Sequence, residues 1–149
     1  MTAHSRDPSA AARTAPAIQL PPAASQHKTA GPYSPVLLIN ASTIVAISGQ
    51  GPIDLEGRIV GRTLQEQARL TLENCRRVLA DGGAAFRDVF KVTVYLSDMN
   101  DWAAFNEVYR EYFEPPYPVR TAIQAVLWGG IKVEIDMLAA LPADTRSPS

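Results

Sequence analysis

The stretch DVFKVTVYLSDMNDWAAFNEVYREYFEPPYPVRTAIQAV, residues 88–126, decides how the chain folds, because its periodicity changes twice. Over residues 88–98, Phe90, Val92, Val94 and Leu96 take one side and Lys91, Thr93 and Tyr95 the other, the period-two pattern of a strand. Over residues 101–113, Trp102, Phe105, Tyr109, Tyr112 and Phe113 recur at helical spacing. Asp98, Asn100 or Asp101 can cap that helix, and Pro115-Pro116 stops it for want of an amide. Alternation resumes over residues 120–127. Strand, helix, strand predicts a crossover onto one sheet.

Upstream, residues 64–81 form the clearest helix. Thr63 and Glu66 make a T-x-x-E capping box, and Leu64, Ala68, Thr71, Leu72, Cys75, Val78 and Leu79 form its inner stripe. Gly82-Gly83 ends it, since glycine accepts a left-handed backbone. Further upstream, VLLIN (36–40) and TIVAISGQ (43–50) read as a hairpin about Asn40-Ala41-Ser42, followed by a glycine-punctuated loop with a short strand near 58–60. Downstream, Trp128-Gly129-Gly130 turns into a last strand, residues 131–141. The order β-β-(β)-α-β-α-β-β predicts an α+β domain: one mixed sheet with two helices on one face. Residues 1–29, rich in Ala and Pro, are expected to be a disordered arm. Residues 30–141 form the domain and 142–149 a tail.

The 149 residues suit a single core, and the formal charge of −1 argues against nucleic acid or an anionic membrane as partner. No apolar run reaches the ~18–20 residues that span a bilayer. The one cysteine, Cys75, excludes an internal disulfide and implies a reducing, cytoplasmic setting. Both histidines, His4 and His27, fall in the arm, so the domain has no histidine base, no Ser-His-Asp triad and no His-rich metal site; no metal is expected.

That leaves carboxylates, arginine, hydroxyls and amides to carry chemistry. The last strand sets Ile131, Val133, Ile135 and Met137 against Lys132, Glu134 and Asp136. Its outer face, like that of residues 88–98, is neither plainly core nor plainly solvated, which suggests contact with another subunit. Arg120 and Glu134 are expected on adjacent strands, across a short turn, on that uncovered face. Two readings stay open: a structural salt bridge, or a carboxylate clamp (Arg120) beside a water-orienting base (Glu134). Ser48-Gly49-Gln50-Gly51 offers a hydroxyl and approachable amides, or merely a turn. Cys75 belongs to the helix stripe, and Asn106 is expected off its helix's stripe, as an exposed amide.

The segments GPYSP (31–35), ISGQGPID (47–54), residues 67–113, PVRTAIQAV (118–126) and VEIDMLAAL (133–141) together resemble the RidA/YjgF family. The resemblance implies a chorismate-mutase-like fold and a homotrimer with sites between subunits. It also implies hydrolysis of reactive enamine or imine acids, such as 2-aminoacrylate, to 2-keto acids and ammonia, without a cofactor. By the same resemblance Arg120 clamps the substrate carboxylate, Glu134 positions water, and Tyr33, Ser48 and Asn106 line the pocket. The chain departs from the family at Ala122, where many members carry cysteine, at Pro35, in the LWGGIK turn with Trp128, and in its long arm. Ala122 and Trp128 motivate one alternative, a pathway deaminase or other C=N-acting enzyme on a larger acid; the resemblance itself implies a second, a non-catalytic, small-molecule-binding or chaperone-like trimer.

Overall fold

The computed structural model describes residues 16–26 and 31–143. Its elements are β1 (Ile18–Gln19), β2 (Leu38–Ile39), β3 (Thr43–Gln50), α1 (Leu64–Asp81), β4 (Val89–Leu96), α2 (Trp102–Arg110), β5 (Val119–Gln124) and β6 (Val133–Leu141). The main sheet has the order β3-β6-β4-β5 and is mixed: β6 is antiparallel to both β3 and β4, while β5 runs parallel to β4.

Local signals set α1. Glu66 N–H donates to Thr63 Oγ1 at 3.1 Å, and the Glu66 carboxylate accepts from the amides of Thr63 and Arg62, which holds it below the usual carboxylate range. Gly83, at φ +80°, follows the helix in the left-handed conformation. The inner stripe packs on β3, β6 and α2, and Leu72, Leu79, Phe105, Tyr109, Val92, Val94 and Ile135 are wholly enclosed. Each such apolar side chain contributes roughly 1.5–3 kcal/mol through burial. Burial also pushes the Cys75 thiol up to about 12, so it behaves as a small core residue.

Several expectations change. Residues 36–40 and 43–50 do not form a hairpin: Leu38–Ile39 pair with Ile18–Gln19 instead, and the Asn40 and Ser42 amides donate to the carbonyls of Ala17 and Leu141. Part of the expected arm is therefore ordered as a strand; residues 1–15, 27–30 and 144–149 lie outside the described residues. Strands β5 and β6 are not neighbours, since β4 lies between them. The core-facing Val92, Val94 and Leu96 are fully buried, as suits a strand flanked on both sides. Third, a register shift between Val89 and Lys91 turns Val89 inward and leaves Phe90 part-buried. Finally, α2 ends at Arg110, yet Phe113 still stacks on Tyr109 at 4.5 Å. The expected strand near 58–60 is a single bridge, Ile53 to Ile59.

Gln67 ties α1 to two loops. Its Nε2 donates to the carbonyls of Gly61 and Gly130, both at 3.1 Å, and its Oε1 accepts from Lys132 N–H at 2.8 Å. Gln67→Leu leaves these part-buried backbone groups without their side-chain partner, so chemical denaturation is expected to show a loss of about 1–3 kcal/mol.

Candidate active site

Arg120 lies on β5 opposite Val92 of β4 in parallel register, and Ala122 opposite Val94. Parallel partners share a face, so Arg120 points under the helices with the buried valines, not to the uncovered face expected for it. There its guanidinium carbon is 4.7 Å from the centre of the Tyr109 ring, 4.9 Å from Trp102, 5.5 Å from Tyr33 and 5.8 Å from Phe105. Such rings attract a cation through their electron-rich faces.

The cage is assembled from sequence-distant pieces. Trp102, Phe105, Asn106 and Tyr109 recur at i, i+3, i+4 and i+7 along α2 and so share one face. Residues 31–34 are stitched to the approach of β5: Ser34 N–H donates to the Pro118 carbonyl at 3.1 Å, and the Ser34 hydroxyl donates to the Tyr117 carbonyl. Tyr33 is thereby held against Arg120. Gly31 permits the close approach, because a Cβ there would fall 2.7 Å from both Arg120 Nη2 and Tyr33 Cε1.

Arg120 Nη2 donates to Asn106 Oδ1 at 2.8 Å. Asn106 is only 1% exposed, against the expectation of a surface amide; its i+4 relation to Trp102 was the signal for that. Among the described residues Arg120 Nε and Nη1 and the Tyr109 hydroxyl are buried with no hydrogen-bond partner. Among the described residues no carboxylate pairs with Arg120. Burial pulls the guanidinium below its ordinary value and pushes the Tyr109 phenol up. A buried cation without an anion costs several kcal/mol, and an arriving carboxylate would remove much of that cost through two parallel hydrogen bonds.

Glu134 belongs to a different neighbourhood. It is the cross-strand partner of Tyr95, whereas Val133 and Ile135 are buried, so Glu134 lies on the face away from the helices. Its carboxylate lies against Gly49. Ser48 is exposed beside Gly49 and accepts from Gln50 Nε2 at its carbonyl, at 3.2 Å. On the same face the Tyr95 hydroxyl donates to Asp136 Oδ2 at 3.1 Å, which raises the phenol above its ordinary value. Thus Arg120, Asn106 and Tyr33 come together in one chain, while Glu134 and Ser48 stand across the sheet from them. A direct Arg120–Glu134 salt bridge within the chain is excluded, and so is the shared face expected for the pair. Sequence reading also missed Trp102, Phe105 and Tyr109, which it assigned to core alone.

Residues 23–141 match the family described as endoribonuclease L-PSP. A RutC family protein of Pyrococcus horikoshii is 44% identical over 114 residues, covering 75% of this chain and 89% of the relative. A 2-iminobutanoate/2-iminopropanoate deaminase of Capra hircus is 40% identical over 111 residues, covering 73% and 80%. This chain belongs to the RidA/YjgF family. The crystal structure of a RidA from a Psychrobacter species superposes with a TM-score of 0.63 at 32% identity, covering 76% of this chain and 92% of that one. The family thus includes named deaminases of reactive imino acids. No described helix is long and apolar enough to cross a membrane.

Because the cage lacks an anion, a short 2-keto acid such as 2-oxobutanoate is expected to raise the melting temperature in a saturable way. The gain is equivalent to about 2.7 kcal/mol at a hundred times the Kd. Arg120→Met is expected to abolish that shift while folding at least as stably as the parent, as read by differential scanning fluorimetry with and without ligand.

Proposed function

We propose that the protein is a cofactor-independent deaminase that hydrolyses reactive 2-imino and enamine acids to 2-keto acids and ammonia. The observation that carries this reading is the caged guanidinium of Arg120, buried without a counter-carboxylate. Among the described residues its Nε and Nη1 have no hydrogen-bond partner, which leaves donors for a substrate carboxylate. Asn106 and Tyr33 hold the clamp in place. An imine carbon, once protonated at nitrogen, is electrophilic enough to need no metal or prosthetic group. Water adds to that carbon as its proton passes to the Glu134 carboxylate. The carbinolamine then collapses: Glu134 returns its proton to the amino nitrogen and takes the hydroxyl proton as the carbon–nitrogen bond breaks, so ammonia leaves and the carbonyl forms.

Within one chain the clamp and the base stand on opposite sides of the sheet. We therefore propose that the working unit is a homotrimer in which Glu134 of the partner subunit meets Arg120, with Ser48 beside it. The uncovered face supplies a surface for such contact: Ile44 is 51% and Ile123 45% exposed amid Tyr95, Thr93 and Lys91. Hydrolysis in a reducing cytoplasm agrees with the buried free thiol of Cys75. A larger acid remains the second reading of the substrate. Ala122 is a small, part-buried residue on the same strand face as the clamp, and Trp128 is 70% exposed at the β5–β6 connection. Nucleic-acid cleavage, despite the family description, has little support from a chain of net charge −1 with no histidine in its domain.

The test is a semicarbazide-competition assay on imines generated by an amino-acid oxidase from small and bulky amino acids. Arg120→Ala is expected to lower kcat/KM at least ~30-fold, in line with loss of a buried charge partner. Glu134→Gln should lower kcat by about 10²-fold or more with KM little changed. Full activity of Arg120→Ala overturns the clamp, and preference for the small imines removes the larger-acid reading.

A further inference from the structure

Strand β3 is bulged where it passes Glu134. Its register against β6 runs Ile47 to Met137 and then Gln50 to Ile135, so Ser48 and Gly49 together oppose the single residue Asp136. Bulges of this kind re-aim nearby side chains. Here the space over Gly49 is filled by the Glu134 carboxyl group. A Cβ built on Gly49 would overlap Glu134 Oε1, with Cδ 3.1 Å and Cγ 3.3 Å away, and its three nearest neighbours would all be atoms of Glu134.

The backbone gives no other reason for glycine at this position. Left-handed φ values among the described glycines occur at Gly57, Gly61, Gly83 and Gly129, and Gly49 is not among them. Alanine fits its conformation, and glycine inside a strand costs roughly 0.5–1 kcal/mol relative to alanine. What glycine provides at 49 is room for one carboxylate. The group that would be displaced is the far end of a flexible side chain, so an added methyl disturbs the position of Glu134 far more than the fold.

We propose that Gly49 is a positioning residue for Glu134: lacking a side chain, it lets the carboxylate lie back across the β3 bulge in the orientation from which it directs the attacking water. This rests on the role proposed above for Glu134, and the experiment separates the two. It uses the full chain, with the imine that an L-amino-acid oxidase makes from leucine as probe, in a double-mutant cycle of Gly49→Ala with Glu134→Ala.

Gly49→Ala is expected to keep its melting temperature, keep KM within about 3-fold and lose kcat by about 10²-fold, the scale of general acid–base help. In the Glu134→Ala background the same change should alter kcat by less than about 2-fold, since the displaced group is gone. Joined to Glu134→Asp, whose shorter side chain clears the methyl, it should lose no more than Glu134→Asp alone. Undiminished kcat in Gly49→Ala overturns the inference, as does an equal loss in both backgrounds. Failure of Gly49→Ala to fold also overturns it, because that would show a backbone need for glycine. If Glu134→Ala itself keeps full kcat, the water-directing role falls and this inference with it. If only Glu134→Ala is impaired, the role of Glu134 stands and the inference about Gly49 alone fails.

Discussion

The structure turns on one uncompensated charge. Arg120 brings a guanidinium beneath α2, among four aromatic rings, and finds among the described residues only the Asn106 amide as a hydrogen-bond partner. Cation–π attraction of about 0.5–2 kcal/mol per good ring offsets part of the desolvation, but it satisfies no N–H donor. The rest of the cost is carried by the core beneath α1 and α2. The cage is therefore a place where stability is given up, and where a bound carboxylate would restore it. This also explains why the same strand tolerates Arg120 two residues from Ala122, which packs against the apolar core.

The sheet acts as a partition. With β4 inserted between β5 and β6, residues brought close in sequence by the Trp128-Gly129-Gly130 connection are set a full strand apart. Ala125 N–H bonds to the Leu96 carbonyl and Ser97 N–H to the Lys132 carbonyl, so the end of β4 is gripped by both flanking segments. Parity then sends Arg120 inward and Glu134 outward. The two halves of the proposed chemistry thus stand on opposite sides of one chain's sheet, and the proposed reaction calls for a second subunit to bring them together.

How much of this the sequence disclosed depends on range. The capping box of α1, its buried stripe and the alternation of β6 were legible because each follows from residues three, four or two apart. Pairing was not, because it is a choice among distant strands. Leu38–Ile39 and the following β3 run are separated by an acceptable turn, yet the short strand takes Ile18–Gln19 as partner. The face of β5 was inverted for a related reason. Counting apolar residues assigns Thr121, Ile123 and Ala125 to the core, but on this edge strand Ile123 is exposed and the charged residue is part-buried on the helix side. The pattern was read correctly and its sign was not. Asn106 was misplaced although its helical position relative to Trp102 and Phe105 pointed inward, because amides are ordinarily found outside.

Two glycines show how such a site is kept open. At Gly31 a side chain would strike Arg120 and the Tyr33 ring; at Gly49 it would strike Glu134. Neither has the left-handed backbone that ordinarily explains a glycine. Each stands where main chain must lie flat against a charged group whose direction matters. The motifs G-P-Y-S and S-G-Q, which by sequence alone read as turns, take their shape from that closeness: one lays Tyr33 over the cation, the other leaves the carboxylate its space. Removing room at either point changes where a charge sits without breaking a strand. Positional errors of that size are what catalysis by orientation tolerates least.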